Sequence, residues 1–306
     1  MARNFGLGSR DMGRAGTFAI QADARSGKNS FSTAETVSDR FQQFAEYAKS
    51  EGLRRLEEVS KDTVVAYGQK LANQVSQGEK SASYAQNLVS AVNTVMATAS
   101  RGQWEPVSPT REAGIAERSN VRETPATSSN RATYEQARGA LSERAQAIAD
   151  IARELGMRSK EASLINAERA ASQGRETGSV TISDGTKGGR DRTIEVSEHQ
   201  IAALERASEV QSGDRSMVPA NQTWAQFRDG ELRETREALQ EQGVEGLHDL
   251  RAGYAADRYE QLTGQRPPVE GGQTPRDLDR VARAQIAAEM GHGRIDVTNS
   301  YLGGRG

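Results

Sequence analysis

The chain has 306 residues, 35% of them hydrophobic and 27% charged, which is long enough for two domains rather than one. Its 40 Lys and Arg residues nearly balance 42 Asp and Glu residues, so the formal net charge of −2 excludes a uniformly basic surface, and any nucleic-acid-binding surface must be local. The lack of cysteine excludes disulfides and thiolate catalysis, and three histidines argue against a multi-histidine metal centre. No apolar run reaches the roughly 20 residues that span a bilayer, and the N-terminus lacks the apolar core of a secretion signal, so we expect a cytoplasmic protein with no membrane partner.

Residues 1–30 are rich in glycine and show no hydrophobic period. Five basic residues in this segment face two acidic ones. The pattern predicts a flexible, mildly basic arm that touches a nucleic-acid backbone. An ordinary disordered terminus is the alternative interpretation.

Residues 31–100 carry repeated signals of short amphipathic helices. A capping box at Ser32–Glu35 precedes Phe41 and Phe44 at helical spacing, Ser60 is placed to cap a second helix, and a third begins near Ser83. The segment therefore predicts a small helical bundle. Residues 101–131 have three prolines among polar residues and no apolar period, and so predict a linker. Two domains joined in this way can close around a duplex, or they can be unrelated modules.

Residues 132–306 are predicted to be mostly helical, with one exception. Two short strands, Ser179–Ile182 and Thr193–Val196, flank a glycine-rich turn that contains Lys187. The predicted fold class is therefore mainly α, with an N-terminal helical bundle and a C-terminal domain that carries an inserted β-hairpin.

Six residues of the C-terminal domain could carry chemistry, although each signal alone is weak. His248 and Arg251 are three apart and share a helix face. Lys187 follows a Gly-Thr pair, but the GxxxxGK[ST] spacing of a phosphate loop is absent. The other candidates are Arg158, His292 and Tyr301.

The order and spacing of these six residues resemble the tyrosine recombinase (phage integrase) family. The matching segments are Leu155–Glu161, Gly185–Arg192, Gly246–Arg251 and Met290–Tyr301. The helical region 31–100 is also similar to the core-binding domain of that family, which has a SAM-like bundle. The resemblance thus implies a core-binding domain at 31–100 and a catalytic domain at 132–306.

The resemblance implies a role for each of the six residues. Arg158 and Arg251 clamp the non-bridging oxygens of a DNA phosphodiester, and Tyr301 attacks phosphorus to form a 3′-phosphotyrosine. The remaining roles are those of His248 as general acid–base, Lys187 as the acid for the 5′-oxygen, and His292 as a hydrogen-bond donor to the phosphate. No metal or cofactor is implied.

The chain departs from the family pattern at three places. Arg251 is followed by Ala252, where many relatives have histidine. His292 lies 41 positions after Arg251, with an inserted loop near 264–275, a form similar to integrase-domain proteins of integrative conjugative elements and plasmids. Five residues follow Tyr301, so we expect no exchange of a C-terminal helix between subunits in the usual form.

These features predict a site-specific DNA recombinase or integrase of a mobile genetic element. Its expected partner is double-stranded DNA, on which it assembles as a homo-oligomer, from dimer to tetramer, with or without a second recombinase or accessory protein. Three alternatives stay open: a topoisomerase-like nicking and closing enzyme, a catalytically inactive DNA-binding accessory protein, and a helical interaction module with no role on DNA.

Overall fold

The computed structural model describes residues 3–305, and the chain divides into two compact units, Met1–Ser119 and Asn120–Gly306. Met1, Ala2 and Gly306, which fall in the predicted arm and catalytic domain, lie outside the described residues. In the part that is described, no helix is long and apolar enough to cross a membrane.

The N-terminal unit is a bundle of helices around an aromatic and aliphatic core. Phe41, Phe44 and Tyr67 are buried at its centre, and the Phe44 and Tyr67 rings meet edge to face with centroids 5.2 Å apart. Ser60 caps the helix Lys61–Ser76 as predicted, by accepting a hydrogen bond from the Thr63 N–H. The α-helices of this unit are α1 (Met12–Arg25), α2 (Phe31–Ser50), α3 (Lys61–Ser76) and α4 (Ala82–Ala99).

The structure corrects the prediction of a flexible arm at residues 1–30. Helix α1 occupies 14 residues of that segment, and its Ile20 is fully buried. The sequence did not indicate this helix because glycine is a poor helix former. Gly16 is needed for packing, since a Cβ there would lie 2.4 Å from the Phe41 ring. Glycine thus lowers the helix propensity of α1 but lets α1 and α2 approach closely.

Parts of the predicted linker at 101–131 are packed against the two units. Val107 and Ile115 are buried in the N-terminal core, and the Asn93 side chain accepts hydrogen bonds from the Trp104 indole N–H and the Val107 N–H. Residues 126–129 pack instead in the C-terminal unit, where Ser128 is buried. The sequence did not predict these contacts because few apolar side chains of the segment take part in them.

The C-terminal unit is helical apart from one antiparallel hairpin. Strand β1 (Ser179–Ile182) has the predicted bounds, and β2 (Arg192–Glu195) begins one residue early, with Ile182 opposite Arg192. The helical stretch over residues 224–241 is two helices separated at Gly230. The α-helices of this unit are α5 (Arg131–Gly139), α6 (Glu143–Glu154), α7 (Ser159–Leu164), α8 (Ala167–Thr177), α9 (Glu198–Gln211), α10 (Trp224–Asp229), α11 (Glu231–Glu241), α12 (Leu247–Thr263), α13 (Arg276–Glu289) and α14 (Asn299–Leu302).

The predicted fold class, mainly α with an inserted hairpin, is confirmed. Two apolar clusters fill the C-terminal unit. One lies around α6, α8 and α9, and the other around α12, α13 and α14. The candidate site residues lie on elements of both clusters, so the packing of this unit fixes their relative positions.

Candidate active site

Arg251 lies at the centre of the site and is 1% exposed. It projects from α12, and its two terminal nitrogens donate to the carbonyl oxygens of Gly156 and Met290. Its Nε donates to the Tyr301 hydroxyl at 3.4 Å. Burial lowers the pKa of Arg251, yet a guanidinium titrates so far above neutrality that it stays charged. The structure therefore holds a fixed positive charge against Tyr301.

Gly156 supplies a carbonyl to this arginine because its backbone turns sharply there. Its φ is +61°, and a Cβ at this position would lie 2.4 Å from the Tyr254 ring. Only glycine fits both the left-handed backbone and the aromatic neighbour. The Leu-Gly-Met-Arg turn singled out in the sequence thus brings Arg158 and a carbonyl partner of Arg251 into one place.

Arg158 is held by a carboxylate to which the sequence pattern assigned no role. Glu161 is fully buried and accepts from the Arg158 backbone N–H at 2.8 Å and from its guanidinium at 2.7 Å. Arg192 of β2 binds the same carboxylate with both terminal nitrogens, at 2.9 and 2.7 Å. Glu161 therefore fixes two arginines in bidentate or charge-assisted geometry.

The charge state of Glu161 follows from its partners. Burial acts to raise the pKa of this carboxyl, but the hydrogen bonds and charge of Arg192, with those of Arg158, outweigh burial and lower it. One carboxylate thus faces three guanidinium groups, since Arg251 Nη1 is also 3.9 Å from Glu161 Oε2. Sequence spacing offered one signal for Glu161, a carboxylate three residues after Arg158, whereas no local pattern pointed to Arg192.

Tyr301 is 4% exposed and lies on the four-residue helix α14. Its hydroxyl is 3.2 Å from His292 Nε2. His292 Nε2 is also 3.1 Å from Arg251 Nη2, and because a guanidinium only donates, Nε2 is an acceptor and the imidazole is neutral. Burial, followed by the charges of Arg251 and Arg158, lowers the pKa of His292 to about 4, which agrees with that assignment.

His248 contacts the same tyrosine in a different way. Its ring stacks on the Tyr301 ring, with centroids 5.5 Å apart and an interplanar angle of 16°. The residue reaches the surface, but neighbouring atoms displace part of the water around its ring, and this desolvation, with the charges of Arg251 and Arg122, lowers the pKa of His248. Both histidines are therefore neutral at pH 7.

Lys187 is the one predicted residue that stands apart. It is exposed at the turn between β1 and β2, in a short 3₁₀ segment, Lys187–Gly189. Its charge is nevertheless felt at the site, because it contributes to lowering the pKa of His292. The structure thus brings Arg158, Arg251, His292, His248 and Tyr301 together and leaves Lys187 at the edge.

Asp249 anchors the segment that opens the C-terminal unit next to this site. The carboxylate, 3% exposed, accepts from Arg122 at 2.7 Å and from the Ser128 N–H at 2.8 Å. The Arg122 N–H in turn donates to the Asn299 carbonyl of α14 at 2.9 Å. Residues 122–128 therefore bond to the helix that carries His248 and to the helix that carries Tyr301.

Across residues 3–305, no three imidazole, carboxylate or thiol side chains are grouped so that they could hold a metal ion. The chemistry available at the site is that of guanidinium, imidazole and phenol groups.

Comparison with known proteins agrees with the resemblance drawn from the motifs. Residues 116–257 match the family model described as Integrase. The comparison with curated protein sequences gave no match.

Solved structures of tyrosine recombinases are similar to this chain along most of its length. The XerH site-specific recombinase in a post-cleavage complex with its difH substrate has a TM-score of 0.60 at 15% identity, covering 94% of this chain and 80% of that one. A lambda integrase(75–356) dimer bound to a COC′ core site has a TM-score of 0.59 at 15% identity, with 91% and 90% covered. The Tn1549 transposon integrase with right-end DNA has a TM-score of 0.55 at 13% identity, with 95% of each chain covered. At these identities the likeness shows the fold.

Proposed function

We propose that this chain, which has the tyrosine recombinase fold and matches the integrase family over residues 116–257, cleaves and rejoins DNA through a 3′-phosphotyrosine at Tyr301. One observation carries the proposal. The Tyr301 hydroxyl lies within hydrogen-bond distance of a buried guanidinium, that of Arg251, and of a neutral imidazole, that of His292. A phenol placed in this way is suited to attack a phosphate that the same groups bind.

The proposed step conserves the phosphodiester bond energy. The Tyr301 oxygen forms a bond to phosphorus while the bond from phosphorus to the 5′-oxygen breaks. Lys187 gives a proton to that 5′-oxygen, and the tyrosine proton passes to an imidazole. In the DNA-free chain the imidazole at the hydroxyl is His292. Once His292 hydrogen-bonds the phosphate, His248, whose ring already lies on Tyr301, takes the proton.

Stabilisation of the transition state falls to Arg158 and Arg251. Charge grows on the non-bridging oxygens as phosphorus becomes pentacoordinate, and guanidinium groups that are already oriented stabilise it without reorganisation. The fixed partners of the two arginines, Glu161 and the carbonyls of Gly156 and Met290, provide that orientation. Lys187 completes the set of six catalytic residues.

We further propose that double-stranded DNA is the partner and that the chain works on it as a dimer or tetramer in the cytoplasm. Neighbouring structures include a lambda integrase dimer on a core site and a lambda integrase tetramer on a Holliday junction. In this proposal the helical unit before residue 120 is the core-binding domain, and residues 132–306 form the catalytic domain. The phosphate backbone supplies most of the affinity.

The test is formation of a covalent adduct. Purified protein is incubated with nicked suicide duplexes tiled across the DNA that flanks its coding sequence, and adducts that survive denaturation are counted. We expect an adduct with the wild-type chain and with Tyr84→Phe, a control at a partly exposed tyrosine, but none with Tyr301→Phe. Clear binding to duplex without an adduct would instead support an inactive DNA-binding protein. Strand exchange between paired sites separates recombination from nicking and closing.

A further inference from the structure

The segment that carries Tyr301 is too short to form a stable helix by itself. Helix α14 has four residues, and the 3₁₀ turn before it, Ile295–Thr298, has four more. A helix of one turn is unstable in isolation, because fixing the backbone of the first turn costs more free energy than its hydrogen bond contributes. Other parts of the chain must therefore fix the tyrosine, and the motif residues His248, Arg251 and His292 contact its ring and hydroxyl rather than the backbone of the segment.

One side chain outside the motifs binds this segment on both sides of Tyr301. Arg283, on α13, is 1% exposed. Its Nη1 donates to Thr298 Oγ1 at 3.2 Å and to Asn299 Oδ1 at 3.0 Å, and its Nη2 donates to the Gly303 carbonyl at 3.1 Å. A single planar group thus spans the stretch from three residues before the nucleophile to two residues after it.

Arg283 is itself held in place. Its Nε donates to Asp279 Oδ1 at 2.7 Å, one turn earlier on α13. The same oxygen accepts from the Tyr259 hydroxyl at 2.8 Å, and the guanidinium carbon lies 6.0 Å from the centre of the Tyr259 ring. Asp279 is 4% exposed, so both charges of the pair are buried. This anchoring leaves the guanidinium one orientation, the one that faces the α14 segment.

We infer that Arg283 is a positioning residue for the nucleophile, holding Thr298–Gly303 so that the Tyr301 hydroxyl lies at Arg251 and His292. The inference rests on the proposed function, in which Tyr301 attacks DNA. Arg283 does not reach the reacting atoms, and its effect comes through the backbone of α14. A lysine cannot replace it, since a point charge cannot bind three acceptors and the Asp279 carboxylate in one plane.

The test separates nucleophile placement from DNA binding. We expect Arg283→Met to lower the rate of adduct formation at saturating DNA about 10- to 100-fold, because a displacement of about 1 Å costs that much. Its affinity for duplex should stay within about twofold of wild type. Arg280→Met, a change at an exposed arginine on the same helix, is the control and should leave both quantities unchanged.

A second readout does not depend on activity. Amide hydrogen exchange should rise in residues 298–303 of Arg283→Met and stay unchanged in α12. If exchange stays at the wild-type level, or if it rises equally in α12, the inference is overturned, whether or not the wild-type chain forms an adduct. An adduct rate that matches wild type overturns it as well.

Another variant leaves the ion pair between Arg283 and Asp279 in place. Thr298→Val combined with Asn299→Ala removes two acceptors and keeps the buried pair intact. We expect a loss of adduct formation in the same direction, with exchange raised in the same segment. Failure of the proposed function shows differently, as a wild-type chain that binds duplex and forms no adduct.

Discussion

The arginines and the lysine proposed to act on one phosphodiester are held in opposite ways. Arg251 is almost wholly buried, and each of its three nitrogens donates a hydrogen bond, whereas Lys187 is exposed at the end of a two-stranded hairpin. The difference matches the timing of the two roles. The negative charge on the non-bridging oxygens is stabilised best by guanidinium groups in fixed positions, whereas the 5′-oxygen moves away as its bond to phosphorus breaks. A fixed clamp and a movable acid therefore suit the same reaction.

The largest expected effect tests the movable part. Lys187→Ala should lower adduct formation about 10²- to 10⁴-fold on ordinary DNA, the range in which a positioned acid contributes. A duplex with sulfur in place of the scissile 5′-oxygen should restore most of the rate, since a thiolate leaves without a proton. Rates on both duplexes are measured by adduct formation.

Arg190→Ala is the control for that experiment, because Arg190 is an exposed charge in the same hairpin. It should lose little on either duplex. An equal loss for Lys187→Ala on the sulfur duplex would show that the lysine acts by binding rather than by proton transfer. The proposed difference between fixed arginines and a movable general acid would then be wrong.

A smaller effect is expected from loosening the fixed part. Glu161→Gln removes the negative charge that orients Arg158 and Arg192, so adduct formation should fall roughly 10- to 100-fold. Denaturant unfolding should also show a loss of about 3 kcal/mol, the usual cost of breaking a buried ion pair. The lowered pKa of Glu161 means that its stabilisation is present above the unfolded value of about 4.3 and is lost as the pH falls, so the two proteins should converge in acid.

Glu168→Gln, at an exposed carboxylate on α8, should change neither the rate nor the stability appreciably. If Glu161→Gln behaves in the same way, the arginines are oriented by other contacts and Glu161 is not what makes the clamp rigid.

The smallest effect concerns pH. The pKa values of His248 and His292 are both lowered from 6.5, that of His292 to about 4, so each imidazole is a neutral acceptor above its lowered pKa and loses that role as the pH falls through it. The second-order rate of adduct formation at low DNA concentration, which reports on the free protein, should change less than about twofold between pH 7.5 and 6.5. A clear decline centred above pH 6.5 that vanishes in His248→Ala or His292→Ala would contradict this assignment.

The local patterns predicted much of the architecture, and five of the six residues that they singled out lie together in the structure, but they failed where contacts are long-range. The β1 bounds and the Ser60 cap follow from neighbouring residues, and the structure agrees with both. Helix α1 was missed because its two glycines serve packing against Gln42 and Phe41, which lie elsewhere in the sequence. Arg192 was missed for the same reason, since it binds Glu161 and the Glu289 carbonyl, 31 and 97 positions away.

The roles of the six residues remain predictions, but the structure refines one of them. The sequence could place His248 and Arg251 on one helix face, yet it could not show that His292 lies at the tyrosine hydroxyl while His248 stacks on the ring. Ring orientation depends on packing between α12, α13 and α14, which no spacing in the sequence encodes.

The pairing of several guanidinium groups with the single carboxylate of Glu161 has a consequence for how DNA arrives. Arg158, Arg192 and Arg251 share that one counter-charge, and Lys187 adds a further positive charge nearby, so positive charge is in local excess around Glu161 on a chain whose total charge is −2. Such a focus steers a polyanion toward one spot and one orientation. The association rate should therefore fall steeply as ionic strength rises, while dissociation responds less, and the encounter itself would begin to select the approach of the scissile strand.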